Sequence, residues 1–170
     1  VKAVFKHFPG HGRASGDTHL AEAVTPPLKE LEGHEFIPFK TALPQAPNAA
    51  LMMGHLAVPG LGDGQTPASI LPEAYGLARE TLQYDGPIYT DDIGGMKAIA
   101  DSLPLADAVV ASLNAGADMP LWSTEGDINA VIGAVVGAVN DGRLPLERLA
   151  DAARHVSAPP AGAVPEPAQD

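Results

Sequence analysis

Four short apolar segments recur along the chain, and polar residues follow each of them. They are residues 1–5, 49–53, 87–90 and 117–122. A short apolar run of this kind is typical of a strand buried on both faces. We therefore predict four buried strands whose ends present polar side chains.

Apolar residues also recur at helical spacing in four longer segments, which are residues 67–83, 103–115, 128–139 and 146–156. Strands that alternate with helices predict parallel strands joined by helical crossovers. Two α/β architectures satisfy this pattern: a doubly wound open sheet and part of a (β/α)8 barrel. A complete barrel takes about 250 residues, so four βα units in 170 residues correspond to half of one.

Composition indicates a globular domain over residues 1–156, with 45% hydrophobic and 18% charged residues in the whole chain. The Pro- and Ala-rich segment 157–170 is expected to be a disordered tail. A net charge of -11 disfavours nucleic acid and anionic membrane surfaces as partners. No apolar run approaches the roughly 18 residues of a membrane span. The sequence starts with Val1 inside an apolar run and shows no leader, so we expect it to begin part-way through a larger protein.

The polar residues concentrate where the predicted strands end. In order along the chain they are Lys6, His7, His11, Asp17 and His19, then His55, then Asp91 and Asp92, and last Ser123, Thr124 and Glu125. Active sites of α/β barrels are built from the loops at the carboxyl ends of the strands. The pattern therefore predicts one functional rim.

The segment that follows the first strand has three interpretations. It is a polar surface loop with incidental histidines, a zinc site, or a proton-transfer site. His7 and His11 have the spacing of a metal-binding pair, but Pro9 and Gly10 prevent a helix from placing both rings on one face. Asp17 and His19 are two positions apart, so in an extended chain their side chains point to the same side, where a carboxylate orients an imidazole. We expect no metal and no cofactor.

Asp91 and Asp92 end the third strand, where an unpaired carboxylate is costly to bury. An aspartate there can ligate Mg²⁺, act as a nucleophile, or cap the following helix. We expect capping for Asp92 and leave the first two roles open for Asp91.

Several motifs in fixed order resemble the β-N-acetylglucosaminidase branch of glycoside hydrolase family 3. They are Lys-His-Phe-Pro-Gly-His-Gly at 6–12, Asp-Thr-His at 17–19, Met-Met-Gly-His at 52–55, Tyr-Asp-Gly-Pro-Ile-Tyr-Thr-Asp-Asp at 84–92, Met-Lys-Ala-Ile at 96–99 and Asn-Ala-Gly-Ala-Asp-Met at 114–119. The resemblance covers about residues 1–150 and is greatest to actinobacterial, lipoprotein-type members. It implies the C-terminal half of a (β/α)8 barrel, and it favours a cell-envelope or secreted location over a cytoplasmic one, which stays open.

The resemblance also implies roles for individual residues. Asp91 matches the nucleophile of a retaining mechanism, His19 matches an unusual acid/base, and Asp17 matches its dyad partner. Lys6 and His7 match residues that bind sugar hydroxyls. His11, His55 and Met96 lie in matching motifs and are expected near the substrate.

The implied reaction is hydrolysis of terminal β-linked N-acetylglucosamine, with peptidoglycan fragments as the expected source. Phosphorolysis is the alternative, and a truncated remnant that at most binds sugar is another. The first half of the barrel has no match here, and a half barrel has open strand edges. We therefore expect weak or no hydrolysis by these residues alone, with self-association or a separate N-terminal half completing the barrel.

Overall fold

A computed structural model describes residues 3–157, which form six strands and seven α-helices. The strands are β1 (Val4–Phe8), β2 (Ala23–Val24), β3 (Ala50–Met53), β4 (Leu56–Ala57), β5 (Ile88–Asp92) and β6 (Met119–Leu121). The helices are α1 (Leu28–Gly33), α2 (Phe36–Ala42), α3 (Pro72–Gly76), α4 (Lys97–Ala100), α5 (Leu105–Ala115), α6 (Ile128–Asn140) and α7 (Leu146–Ser157). Ser157 ends α7, and the rest of the predicted tail lies outside the described residues.

The main sheet has four parallel strands in the order β1-β3-β5-β6. This order follows the chain from one edge of the sheet to the other. A doubly wound sheet instead reverses its strand order at a switch point, where its ligand binds. Since these strands never reverse, they form a sector of a barrel, and their carboxyl ends face one rim.

Strands β1 and β5 end later along the chain than the predicted segments, which matters for the site. Among the described residues β1 spans Val4–Phe8, three residues beyond the predicted end at Phe5, because its pairing with β3 continues as far as Phe8 and Met53. β5 likewise continues through Asp92. The apolar pattern stops earlier because Lys6 and His7 interrupt it in β1, and Asp91 and Asp92 end it in β5, although the backbone still pairs.

The helical segments also depart from the pattern. Helices α1 and α2 lie between β1 and β3, where no helix was predicted. The predicted helix 67–83 is divided into a 3₁₀ turn at Ala68–Ile70, helix α3, and a π-helical turn at Leu77–Thr81. Pro72 lacks an amide hydrogen and therefore suits the first position of α3, which separates the 3₁₀ turn from the helix.

Two apolar clusters hold the helices against the sheet. The larger one joins β1, β3 and β5 to the first three helices, and Phe8 packs there against Phe36 and Phe39 with ring centroids 5.2 and 5.3 Å away. The second cluster lies under α5 and α6 and includes Ile99, Val109 and Leu113. Both clusters leave the polar strand ends free to face the rim.

A buried ion-pair network lies at the opposite end of the sheet from this rim. The carboxylate of Asp118, which precedes β6, is fully buried and lies 2.7 Å from the guanidinium nitrogens of both Arg79 and Arg148. It also accepts the backbone N–H of Ile88 at 2.9 Å and lies 3.0 Å from Nδ1 of His155. The network therefore joins α7 and the π-helical turn to the start of β5.

Apolar residues remain exposed on α6 and on both edge strands of the main sheet. On α6, Ile128, Ile132 and Val136 form a stripe one turn apart, and each is more than half exposed. Leu121 on edge strand β6 and Val4 on edge strand β1 are also exposed. Within residues 3–157, none of the helices combines the length and apolarity needed to cross a membrane.

Candidate active site

The rim brings together polar residues from all four strands of the main sheet. β1 contributes Lys6 and His7, the turn after β3 contributes His55, β5 ends in Asp91 and Asp92, and Ser123 follows β6. Parallel neighbours in register bring these strand ends side by side even though they are distant in sequence.

His7 and Asp91 form the central contact of the rim. Nε2 of His7 lies 3.2 Å from Oδ2 of Asp91. Burial lowers the pKa of His7 from its ordinary value, although the Asp91 carboxylate opposes this, and Lys6 and His11 lower the pKa further. A histidine with a lowered pKa is neutral at neutral pH, so it meets Asp91 as a hydrogen-bonding group without neutralising its charge.

Asp92 shapes the loop after β5. Its carboxylate accepts the N–H groups of Gly94 and Gly95, each at 2.9 Å, and the hydroxyl and N–H of Ser123 from the end of β6. Burial disfavours the ionised carboxylate, but the bonds from Ser123 and the two glycines outweigh it and hold the pKa of Asp92 below its usual range.

The expectation that Asp92 caps the following helix is therefore wrong. Helix α4 begins at Lys97, and its N-cap residue, Met96, makes no side-chain capping bond. Asp92 closes the loop ahead of that helix and ties it to Ser123, whereas Thr124 and Glu125 are exposed.

Asp17 and His19 form a pair, as predicted, but within a turn and not in extended chain. Oδ1 of Asp17 lies 2.7 Å from Nδ1 of His19 and also accepts the His19 N–H at 3.0 Å. These two bonds lower the pKa of Asp17, the backbone bond acting most strongly. The side chains are 56% and 68% exposed, so a substrate can reach the pair.

The loop that carries this pair is fastened at several points. The guanidinium of Arg13 binds the carboxylate of Glu35 through two bonds, of 2.6 and 2.9 Å, and a Cβ at Gly10 would collide with the Glu35 side chain. Further along, the carbonyl of Thr18 accepts the N–H of Ala98 in α4 at 3.4 Å. The exposed Asp17–His19 pair is thus anchored on both sides.

The remaining predicted residues take different places. The His11 ring lies edge-on to that of His7, with centroids 5.9 Å apart. Met96 is buried, and His55 is fully buried with Nδ1 2.7 Å from Oγ of Ser69. Sequence patterns gave no sign of Ser69, because its partner is remote along the chain. A role in substrate binding stays a prediction for all three predicted residues.

A possible cation site lies elsewhere and has a simpler explanation. Asp118, Asp151 and His155 present ligand atoms within 4.8 Å of one another. Arg79 and Arg148 already bind the carboxylate of Asp118, and two guanidinium groups repel a metal ion. We therefore interpret this cluster as part of the ion-pair network.

Comparison with known proteins identifies the family. The model described as the glycosyl hydrolase family 3 N terminal domain matches residues 1–158. The chain belongs to glycosyl hydrolase family 3. A curated relative, beta-hexosaminidase LpqI of Mycobacterium tuberculosis, is 44% identical over 151 residues, covering 86% of this chain and 38% of LpqI.

Solved structures agree with this family and with the fold. A family 3 glycosyl hydrolase from Mycobacterium smegmatis matches with a TM-score of 0.87 and 42% identity, covering 91% of this chain and 49% of that one. A family 3 beta-N-acetylglucosaminidase from Paenibacillus sp. matches with a TM-score of 0.84 and 32% identity, covering 92% of this chain and 30% of that one. The prediction of a half barrel is confirmed. The chain spans less than half the length of these proteins.

Proposed function

We propose that this chain carries the catalytic half of a retaining exo-β-N-acetylglucosaminidase that acts on terminal β-linked N-acetylglucosamine. One observation carries the proposal: Asp91 ends β5 in contact with His7 of β1, and the loop that follows β1 presents an accessible Asp17–His19 pair. Retaining hydrolysis needs a nucleophile and a second group that first donates and then accepts a proton.

The residues divide the reaction as follows. Asp91 attacks the anomeric carbon while His19 gives its Nε2 proton to the departing oxygen, so the glycosidic bond breaks and a glycosyl ester forms. Water then attacks the ester, His19 takes the proton of the water, and Asp91 leaves with net retention. Lys6 and His7, both on β1, hold the hydroxyl groups of the sugar.

The Asp17–His19 contact supports the acid/base assignment. When the N–H of His19 Nδ1 donates a hydrogen bond to Asp17, the other ring nitrogen, Nε2, is free to exchange protons with the substrate. A histidine as the acid/base also avoids a second carboxylate beside Asp91. The negative charge of such a carboxylate would disfavour the ionised form of Asp91.

The names of the relatives support the substrate class. LpqI is called a beta-hexosaminidase, and the Paenibacillus protein a beta-N-acetylglucosaminidase. We propose peptidoglycan fragments as the source of the sugar, and a cell-envelope or secreted location follows from the same resemblance.

Phosphorolysis is the second candidate. The imidazoles of His7, His11 and His19 and the ammonium of Lys6 gather at this rim, and such groups tolerate an anionic phosphate acceptor. Turnover of an aryl β-N-acetylglucosaminide measured with and without phosphate separates the two reactions. A rate that requires phosphate and yields sugar 1-phosphate would favour the phosphorylase.

The direct test of the proposed function is covalent trapping. An activated fluoro-sugar analogue of N-acetylglucosamine should label Asp91, identified by mass spectrometry of the digested chain. Label on another carboxylate would contradict the nucleophile assignment. Sugar binding without labelling or turnover would favour a non-catalytic remnant.

A further inference from the structure

His55 is the buried titratable group of the rim that the reaction does not use. It follows β3 by two residues and has no exposed surface. Its Nδ1 lies 2.7 Å from Oγ of Ser69, which is equally buried. The carbonyl of Ser69 in turn accepts the hydroxyl of Tyr75 at 2.8 Å, so the serine that holds the ring is itself held.

The register of β3 against β5 places His55 beside the end of β5, because His55 and Asp92 each lie two residues beyond the paired Met53 and Thr90. Nε2 is buried and has no partner at hydrogen-bond geometry within residues 3–157. Burial lowers the pKa of His55. The backbone carbonyl of Asp92 and the carboxylates of Asp91 and Asp92, all on β5, raise this pKa, and His7 on β1 lowers it further. An unprotonated Nε2 would direct its lone pair at these acceptors, so the favoured tautomer has Ser69 donating to Nδ1 and the proton on Nε2.

The backbone of Asp92 links this histidine to the nucleophile. The N–H of Asp92 donates to Oδ1 of Asp91 at 3.0 Å, and its carbonyl raises the pKa of His55, which lies beside Asp92 in the register of β3 and β5. A rotation of this stretch of β5 would therefore change the position of the Asp91 carboxylate relative to His7. Misplacing a reacting group by about 1 Å is enough to slow a reaction about 100-fold.

We propose that His55, held by Ser69, is a positioning residue that fixes the backbone of Asp92 and through it the carboxylate of Asp91. This inference rests on the proposed role of Asp91 as nucleophile. It differs from the sugar-binding role expected from the motif, because a fully buried ring does not reach the substrate.

The test uses two amides that replace different ring nitrogens. In His55→Gln the amide nitrogen lies near the place of Nε2, whereas in His55→Asn it lies near Nδ1 and reaches only Ser69. We expect His55→Asn to lower kcat for an aryl β-N-acetylglucosaminide by about 10- to 100-fold with KM nearly unchanged, and His55→Gln to restore most of it. Equal losses in both variants, or a loss confined to KM, would overturn the proposal.

Nitrogen NMR of the same chain provides a readout that does not need turnover. Wild-type His55 should show a protonated Nε2 and an unprotonated Nδ1, and the Asp92 amide resonance should move in His55→Asn and return in His55→Gln. The exposed His34→Asn variant should leave that resonance in place. The opposite tautomer, or an Asp92 resonance indifferent to both variants, would overturn the inference. Absence of wild-type turnover and labelling would instead count against the proposed function.

Discussion

Nε2 of His7 lies 3.2 Å from Oδ2 of Asp91, which joins the ends of the first and third strands of the main sheet. Burial keeps the pKa of this histidine low. The neutral imidazole therefore orients the Asp91 carboxylate through a hydrogen bond without neutralising it. A nucleophilic carboxylate needs its negative charge until it attacks the sugar.

The first prediction concerns Asp91. Asp91→Asn keeps the size of the side chain but removes the nucleophile, so we expect turnover of a fluorescent aryl β-N-acetylglucosaminide to fall by at least about 1,000-fold, to the detection limit. The exposed Asp101→Asn variant is the control and should retain wild-type turnover. Undiminished turnover in Asp91→Asn would remove the basis of the proposed mechanism.

The second prediction separates the two steps that need His19. His19→Ala should slow hydrolysis of natural disaccharides by about 100- to 10,000-fold, because their leaving oxygen needs a proton. Formation of the glycosyl ester from a dinitrophenyl glycoside should slow far less, since that leaving group departs without a proton. Burst kinetics on both substrates measure the difference, and equal losses would show that His19 is not the acid.

The third prediction follows from the pKa of His55, which burial lowers against the opposing effects of the Asp92 carbonyl and the carboxylates of Asp91 and Asp92. Below about pH 6.5, His55 binds a proton more readily in the unfolded chain than in the folded chain. The contribution of neutral His55 to stability is therefore present above that pH and is lost as the pH falls. We expect the unfolding free energy to fall less steeply from pH 7 to pH 5 in His55→Gln than in wild type.

Urea unfolding at several pH values measures these slopes. One titrating group changes the slope by at most about 1.4 kcal/mol per pH unit. His34→Gln, which removes an exposed histidine and leaves the core intact, is the control. A His55→Gln slope that matches wild type would mean that His55 accepts protons freely in the folded chain.

The fourth prediction concerns the ion-pair network. Asp118→Asn keeps the shape of the side chain but leaves Arg79 and Arg148 without their buried counter-charge, so the unfolding free energy should fall by about 3–5 kcal/mol. Asp141→Asn breaks only an exposed pair with Arg143 and should change stability little. Similar effects of both variants would argue against the network as a fastening for α7.

The fifth prediction concerns the open edges of the half barrel. Because β1 and β6 are edge strands and α6 exposes an apolar stripe, we propose that residues 1–170 on their own self-associate. Ile132→Lys should weaken association in sedimentation measurements, whereas Ile37→Lys on α2 should not. The two isoleucines are similarly exposed, at 54% and 53%, so the pair tests position and not hydrophobicity. A folded monomeric wild type would contradict the prediction.

The sequence by itself determined a parallel α/β fold with polar residues gathered at the strand ends, and the resemblance to glycoside hydrolase family 3 favoured a half barrel over a doubly wound sheet. Apolar segments alternating with helical segments leave few ways to bury both, and polar residues at strand ends have only the rim to face. The Asp17–His19 contact was also predictable, since two residues so close in sequence meet through local geometry alone, although a turn and not extended chain brings them together.

Only the tertiary structure decided which distant residues meet. The register of β1, β3 and β5 places His7 on Asp91 and turns His55 inward toward Ser69, and no local pattern encodes that register. Asp118 and its two arginines were missed for the same reason. Its residue type predicts an exposed side chain, and only the packing of α7 and the π-helical turn against the start of the strands supplies the charges that allow its burial.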